Sequence, residues 1–225
     1  QEKLPRTPAN FHYIFNLRDL GKIYLGLCQA TVDKIEDDVQ CVRLWRNEVD
    51  RVITDRLTSE EDIKVVRDMQ VQLLREQFPA QADEVMKDPS MFGDFQFAAA
   101  RISEDAEDPR LYGDVGGYQE VRQVFDDILE VYNTDPTLKP MSLVLFESAL
   151  DHLTRIYRLI SMPRGNALLV GVGGSGKQSL TKLATFAAGY KLFELTLTRG
   201  YGETEFREDI KLLYSEVAKG PTTFL

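Results

Sequence analysis

The chain has 225 residues, of which 43% are hydrophobic and 28% charged, a composition ordinary for a globular protein of one or two domains. A net charge of -9 argues against nucleic acid or another acidic polymer as a direct partner. No apolar run approaches the roughly 20 residues of a membrane span, and the first residues lack the pattern of a signal peptide.

The two cysteines, Cys28 and Cys41, fall in helical patterns and are expected to be reduced core or near-core thiols of a cytosolic protein. With His12 and His152 they are too few and too scattered to hold a metal. Neither an internal repeat nor a low-complexity tract is visible. The chain opens on Gln1 and closes on Leu225 inside an apolar run, so both ends read as cut.

In chain order, Pro5 and Pro8 precede an aromatic, extended-looking stretch from Phe11 to Phe15. Asn16 is a predicted N-cap for a helix whose face carries Leu17, Leu20, Ile23, Tyr24 and Leu27. Val42, Trp45, Val49, Val52 and Ile53 mark a second helix. Thr58 with Glu61 three residues on has the capping-box pattern, and it predicts a third helix through Ile63, Val66, Leu73 and Leu74 that stops at Pro79. Three amphipathic helices in succession predict a small helical bundle.

The next segment is less regular. Asp88-Pro89 breaks it, Phe95 to Phe97 reads as extended, and Glu104 to Pro109 as an acidic solvated loop. Gly116-Gly117 opens a helix carrying Val121, Val124, Phe125, Ile128 and Tyr132. A linker from Thr134 to Pro140 leads to a further helix predicted from Ser142, with Leu143, Phe146, Leu150, Leu153 and Tyr157 at core spacing.

Ala167 to Val170 is a short apolar run of the kind that makes a buried central strand. It enters Gly171-Val172-Gly173-Gly174-Ser175-Gly176-Lys177, the G-x-x-x-x-G-K core of a phosphate-binding loop. Its glycines admit positive φ and close approach, so that consecutive backbone N–H groups can surround phosphate oxygens. The following helix, with Leu180, Leu183, Ala184 and Ala187 on its apolar face, aims its free N–H groups and positive dipole end at the same place. Lys177 adds a full positive charge suited to β- and γ-phosphates. The ligand predicted is a nucleoside triphosphate.

One position departs from the general pattern. The residue after the lysine is ordinarily Ser or Thr, whose hydroxyl ligates Mg²⁺, and here it is Gln178. Its amide oxygen reaches a metal directly or through water but is longer and less fixed. Ser179 lies about 100° further round the helix and points elsewhere. Altered or weakened Mg²⁺ coordination is the expectation, with Gln178 as the metal-facing residue.

Beyond the loop, Leu192 to Leu197 alternates as a strand, Gly200 to Gly202 turns, and Phe206, Ile210, Leu213 and Val217 mark a helix. Gly220-Pro221 ends it, and Thr222 to Leu225 starts another strand. Strands alternating with helices after residue 165 imply a parallel α/β sheet with the loop at the carboxyl end of its first strand. The chain stops where the strand carrying hydrolytic carboxylates would begin, so those groups are expected to be missing and no catalytic residue is assigned.

The stretch Leu168 to Leu180, with Leu195-Thr196-Leu197-Thr198-Arg199-Gly200-Tyr201-Gly202, resembles the fourth AAA+ module of axonemal dynein heavy chains, and Gln178 matches that module. Upstream, Phe11 to Leu20 and Leu44 to Glu48, with Arg51-Val52 and Asp55-Arg56-Leu57, are similar to the helical lid of the third module. The resemblance covers nearly the whole chain, is weakest over 80–110, and favours an outer-arm type. It implies a helical lid bundle over 1–85, an irregular connection over 86–115, and the first part of a P-loop AAA+ parallel α/β domain over 116–225.

The same resemblance implies part of an ATP-hydrolysing microtubule motor of the ciliary axoneme, whose partners are its other AAA+ modules, other dynein chains and, through an absent stalk, the microtubule. Its implied ligands are ATP or ADP with Mg²⁺, bound by Gly171 to Ser179. It carries over two further candidates. Arg18 falls where lids present a sensor arginine to the nucleotide of their own module, against the plainer reading of a surface ion pair beside Asp19. Val144, Leu145 and Phe146 fall where modules pack adenine, although their spacing equally fits core. The alternative function is a non-hydrolysing structural element that completes the ring and offers an interaction surface.

Overall fold

The computed structural model describes residues 3–32, 34, 35, 37–104 and 110–225. The chain forms two compact units, the first from residues up to Asp94 with Leu111–Gly117, the second from Phe95–Arg110 with Tyr118–Leu225. The acidic run predicted as a solvated loop lies, at 105–109, outside the described residues.

The first unit begins with α1 (Leu17–Leu27), α2 (Asp38–Val52), α3 (Glu60–Gln77) and a single turn, α4 (Ala82–Val85). Asn16 caps α1 as predicted: its side chain accepts from the Arg18 N–H at 2.8 Å, and Asp19 accepts back from the Asn16 N–H at 3.1 Å. The cap of α3 is Ser59 rather than Thr58. Thr58 is committed elsewhere, its N–H to the Tyr13 hydroxyl at 3.0 Å and its own hydroxyl to Asn10 at 3.2 Å. Tyr13 in turn donates to Asp62 at 2.8 Å, which fastens the proline-bearing N-terminal stretch onto the start of α3.

Only part of the predicted α1 face is core. Ile23 is buried, whereas Leu17, Leu20 and Tyr24 are exposed. Both cysteines are exposed too, which corrects the expectation of core thiols; Cys28 follows the last residue of α1, where the helix has run past its buried stripe.

The buried face of α2 is largely polar: Arg46, Asn47, Glu48 and Asp50 are all buried. Arg46 is held by the carbonyls of Val85 (3.0 Å) and Lys87 (3.2 Å) and by the Asp88 carboxylate. Arg43 bonds the carbonyls of Lys87 and Pro89 and the Asp114 carboxylate. Buried charges persist when hydrogen-bonded and paired in this way. Two short strands, β1 (Phe92–Gly93) and β2 (Gly113–Asp114), pair antiparallel in this unit. Phe95 to Phe97, expected to be extended, instead forms a turn that leads into a helix starting at Ala98, and the fully buried Phe95 ring packs on Phe125 and Tyr157.

The second unit contains α5 (Ala98–Glu104), α6 (Tyr118–Thr134), α7 (Glu147–Ser161), α8 (Lys177–Ala188), β3 (Lys191–Phe193), α9 (Glu203–Val217) and β4 (Thr222–Phe224). Val121, Phe125 and Ile128 of α6, Leu150 and Leu153 of α7, and Leu183, Ala184 and Ala187 of α8 are fully buried, so the predicted apolar faces of these helices make the core.

The start of α7 falls five residues later than predicted. The Asn133 side chain exchanges two hydrogen bonds with the Met141 backbone, and Arg122 takes the Leu145 carbonyl at 2.8 Å, which holds 141–146 extended until Glu147. β3 and β4 pair in parallel with Leu192 opposite Thr223, the geometry expected of an α/β unit.

Ala167–Val170 does not form the expected buried strand. It has no ladder partner among the described residues, since β3 and β4 pair with each other, and Leu168 and Val170 are 89% and 86% exposed. β3 is likewise shorter than the predicted alternating stretch to Leu197. On α9 the apolar residues are at most half-buried.

Candidate functional site

The loop from Gly171 to Gly176 is built by its glycines. Gly174 and Gly176 take φ of +79° and +80°, a region that disfavours any residue with a Cβ. Two of the loop glycines therefore use the conformational freedom expected of them. A Cβ on Gly173, Gly174 or Gly176 would meet nothing within 4 Å, so this edge of the loop faces open space. Gly176 caps α8, and the first helical bond runs from the Leu180 N–H to the Gly176 carbonyl at 2.8 Å. The N–H groups of Lys177, Gln178 and Ser179 precede that bond and lie in the first turn, where helices bind anions.

Lys177 folds back over this turn. Its Nζ donates to the carbonyls of Gly171 (2.8 Å) and Val172 (2.7 Å) and to Ser175 Oγ (3.0 Å). The ammonium thus stands inside the curve of the loop, on the side where phosphate oxygens would be received. Gln178 is exposed at the mouth, Ser179 is half-buried, and the Thr181 hydroxyl is spent on the Lys177 carbonyl at 2.8 Å. Of these side chains, the Gln178 amide is the one turned to solvent beside the lysine, and it fits a metal only through a longer reach than a hydroxyl has.

The adenine candidates separate. Val144 and Phe146 are 81% and 59% exposed, while Leu145 is buried and its carbonyl is taken by Arg122. Arg18 belongs to the first unit. It is exposed in the first turn of α1, and Asp19 beside it pairs with Arg56 at 2.9 Å. Phe15, Asn16, Leu17, Leu20 and Ile53 line an open cleft of about 580 Å³ at that end of α1.

Two residues went unnoticed in the sequence. Arg101 donates to the Ala187 carbonyl and Arg110 to the Ala188 carbonyl at 2.9 Å, both at the far end of α8. Separations of 86 and 78 residues leave no local signal for either bond.

A glycine loop, a lysine and a helix N-terminus in this geometry, in a chain that also carries a lid-like helical unit, define a P-loop AAA+ protein. Residues 141–225 match the family described as the P-loop containing dynein motor region D4, and residues 3–88 match the AAA+ lid domain. Over 216 residues the chain is 50% identical to the Dynein-1-alpha heavy chain of the flagellar inner arm I1 complex of Chlamydomonas reinhardtii, covering 95% of this chain and 5% of that protein. It is 50% identical over 213 residues to Dynein axonemal heavy chain 10 of Homo sapiens, with the same coverage, and 41% identical over 220 residues to Dynein axonemal heavy chain 5 of Rattus norvegicus, covering 94% and 6%. The chain belongs to the axonemal dynein heavy-chain family, and it spans about one-twentieth of the length of these relatives.

Proposed function

We propose that this segment binds an adenine nucleotide, ATP or ADP with Mg²⁺, in the loop Gly171 to Ser179, as a regulatory site of a ciliary microtubule motor. The placement of Lys177 Nζ within 2.8 Å of two loop carbonyls, above a helix N-terminus, carries this reading. The lysine and the backbone N–H groups hold the phosphates, and Gln178 holds the metal directly or through water. Bound nucleotide would supply the phosphate charge that α8 and the loop orient. Of the adenine candidates, the exposed Val144 and Phe146 offer apolar surface to a base, whereas Leu145 serves as core. Arg18, beside the apolar cleft on α1, serves a nucleotide of the preceding module.

The division proposed with this reading is a lid over 1–85, a connection over 86–115 and a nucleotide-binding part over 116–225. The parent protein is proposed to be an ATP-hydrolysing motor of the axoneme, acting with its other AAA+ modules, other dynein chains and the microtubule. The relative named for inner arm I1 supports an inner-arm type over the outer-arm type that the sequence favoured. Gln178 in place of the usual hydroxyl favours slow or absent turnover here, which keeps the structural reading as the second one.

The test is nucleotide content and microtubule gliding of the intact heavy chain with and without Lys177→Ala. Loss of one bound nucleotide with altered gliding is expected. Unchanged occupancy and motility would instead favour the structural element.

A further inference from the structure

α8 is a helix with both ends engaged. Its N-terminus is the phosphate loop, and its C-terminus closes on Gly189 at φ +71°, with the Tyr190 N–H reaching back to the Thr185 carbonyl at 3.1 Å. That motif leaves the last carbonyls, Ala187 and Ala188, without helical donors. Arg101 of α5 takes the first and Arg110 takes the second. Arg110 does so from a φ of +46°, a conformation that costs a non-glycine residue free energy and persists where its surroundings hold it. Two guanidinium groups therefore face the negative end of α8.

We infer that Arg101 and Arg110 are positioning residues for the nucleotide site, an axial clamp on α8 that sets how far its N-terminus and Lys177 stand into the loop. This rests on the nucleotide-binding reading above. Two observations carry it beyond an ordinary helix cap. First, Ala184, Ala187 and Ala188 toward this end of α8 are fully buried, so its last turn is closely packed and a displacement there is passed along the helix rather than absorbed locally. Second, both arginines donate to consecutive carbonyls, which fixes rotation as well as translation. A helix of twelve residues is about 18 Å long and stiff, so an error at its C-terminus arrives undiminished at Lys177.

The experiment uses the intact heavy chain and a fluorescent ATP analogue, with the binding lost in Lys177→Ala taken as this site's share. Arg101→Ala and Arg110→Ala are each expected to raise the Kd of that share about threefold, and the double variant by about tenfold, from the interaction of a cation with a helix C-terminus. Amide exchange of residues 177–180 should quicken in the same order, with no change in exchange across the α6–α7 core. Arg101→Lys and Arg110→Lys keep the charge and should restore most of the affinity, which a general loss of packing would not allow. Alanine variants that bind within twofold of wild type, while Lys177→Ala still abolishes the signal, overturn the clamp and leave the site standing. No effect of Lys177→Ala overturns both.

Discussion

A Cβ placed on Gly26 would lie 1.7 Å from Oε2 of Glu48, so α1 and α2 meet at a point with no room for a methyl group. The carboxylate cannot swing clear at little cost, because Glu48 is fully buried and accepts from the Tyr112 hydroxyl at 3.3 Å and the Asn47 amide at 3.1 Å. Gly26→Ala is expected to destabilise the first unit by about 2 kcal/mol through overpacking. Gly21 lies on the same helix with nothing within 4 Å of its Cβ position, and Gly21→Ala should stabilise by roughly 0.5 kcal/mol through helix propensity. The fluorescence of Trp45, the single tryptophan of this chain, reports both in a urea titration, since it packs on the cluster of Leu74, Ala82 and Val85.

At the loop, Gly176, like Gly174, is a residue for which conformation alone decides the outcome. Its Cβ would meet no atom within 4 Å, yet its φ of +80° would cost an alanine about 1–2 kcal/mol. Gly176→Ala should therefore weaken nucleotide binding roughly tenfold. Equilibrium binding of labelled ATP checks it, and an unchanged Kd would mean that the loop binds in another backbone conformation.

Gln178 predicts the metal response. A serine at this position places a short, fixed hydroxyl where a longer amide now stands exposed. Addition of Mg²⁺ should raise the ATP affinity of Gln178→Ser about fivefold more than that of the wild type. Equal Mg²⁺ responses would show that residue 178 does not face the metal.

How much of this was legible in the chain depends on how far each interaction reaches along it. The cap at Asn16, the apolar stripes of α6 and α8 and the whole loop from Gly171 to Lys177 are local, and each was readable from spacing. The polar face of α2 was not, because Arg46 and Glu48 find their partners at Val85 to Asp88 and at Tyr112, far along the sequence. The start of α7 was misplaced for the same reason, since Asn133 and Arg122 hold a stretch that periodicity alone makes helical. Ala167–Val170 has the composition of a buried strand, but burial needs a neighbouring strand, and composition does not supply one. Within the site, the pattern announced glycines without saying which would adopt positive φ. The two arginines behind α8 left no sign at all.

Tyr201 offers a pH-dependent probe of the turn that leads into α9. Its hydroxyl donates to Asp209 at 2.6 Å, and this bond above all, then desolvation and the charges of Asp209 and Glu205, push the phenol up to about 12 from an ordinary 10.0. The protonated form is the one that the fold favours. Its contribution is therefore fully present below pH 10 and is lost as pH rises through about 12. Phenolate absorbance, read as the difference between wild type and Tyr201→Phe, should show this one group titrating near the upper value. Asp209→Asn removes the charge and weakens the acceptor, so the titration should fall back toward 10.0. A wild-type group that already titrates at the ordinary value would mean that the Tyr201–Asp209 bond does not hold the turn, and that Gly200, at φ +93°, and the cap of α9 set it alone.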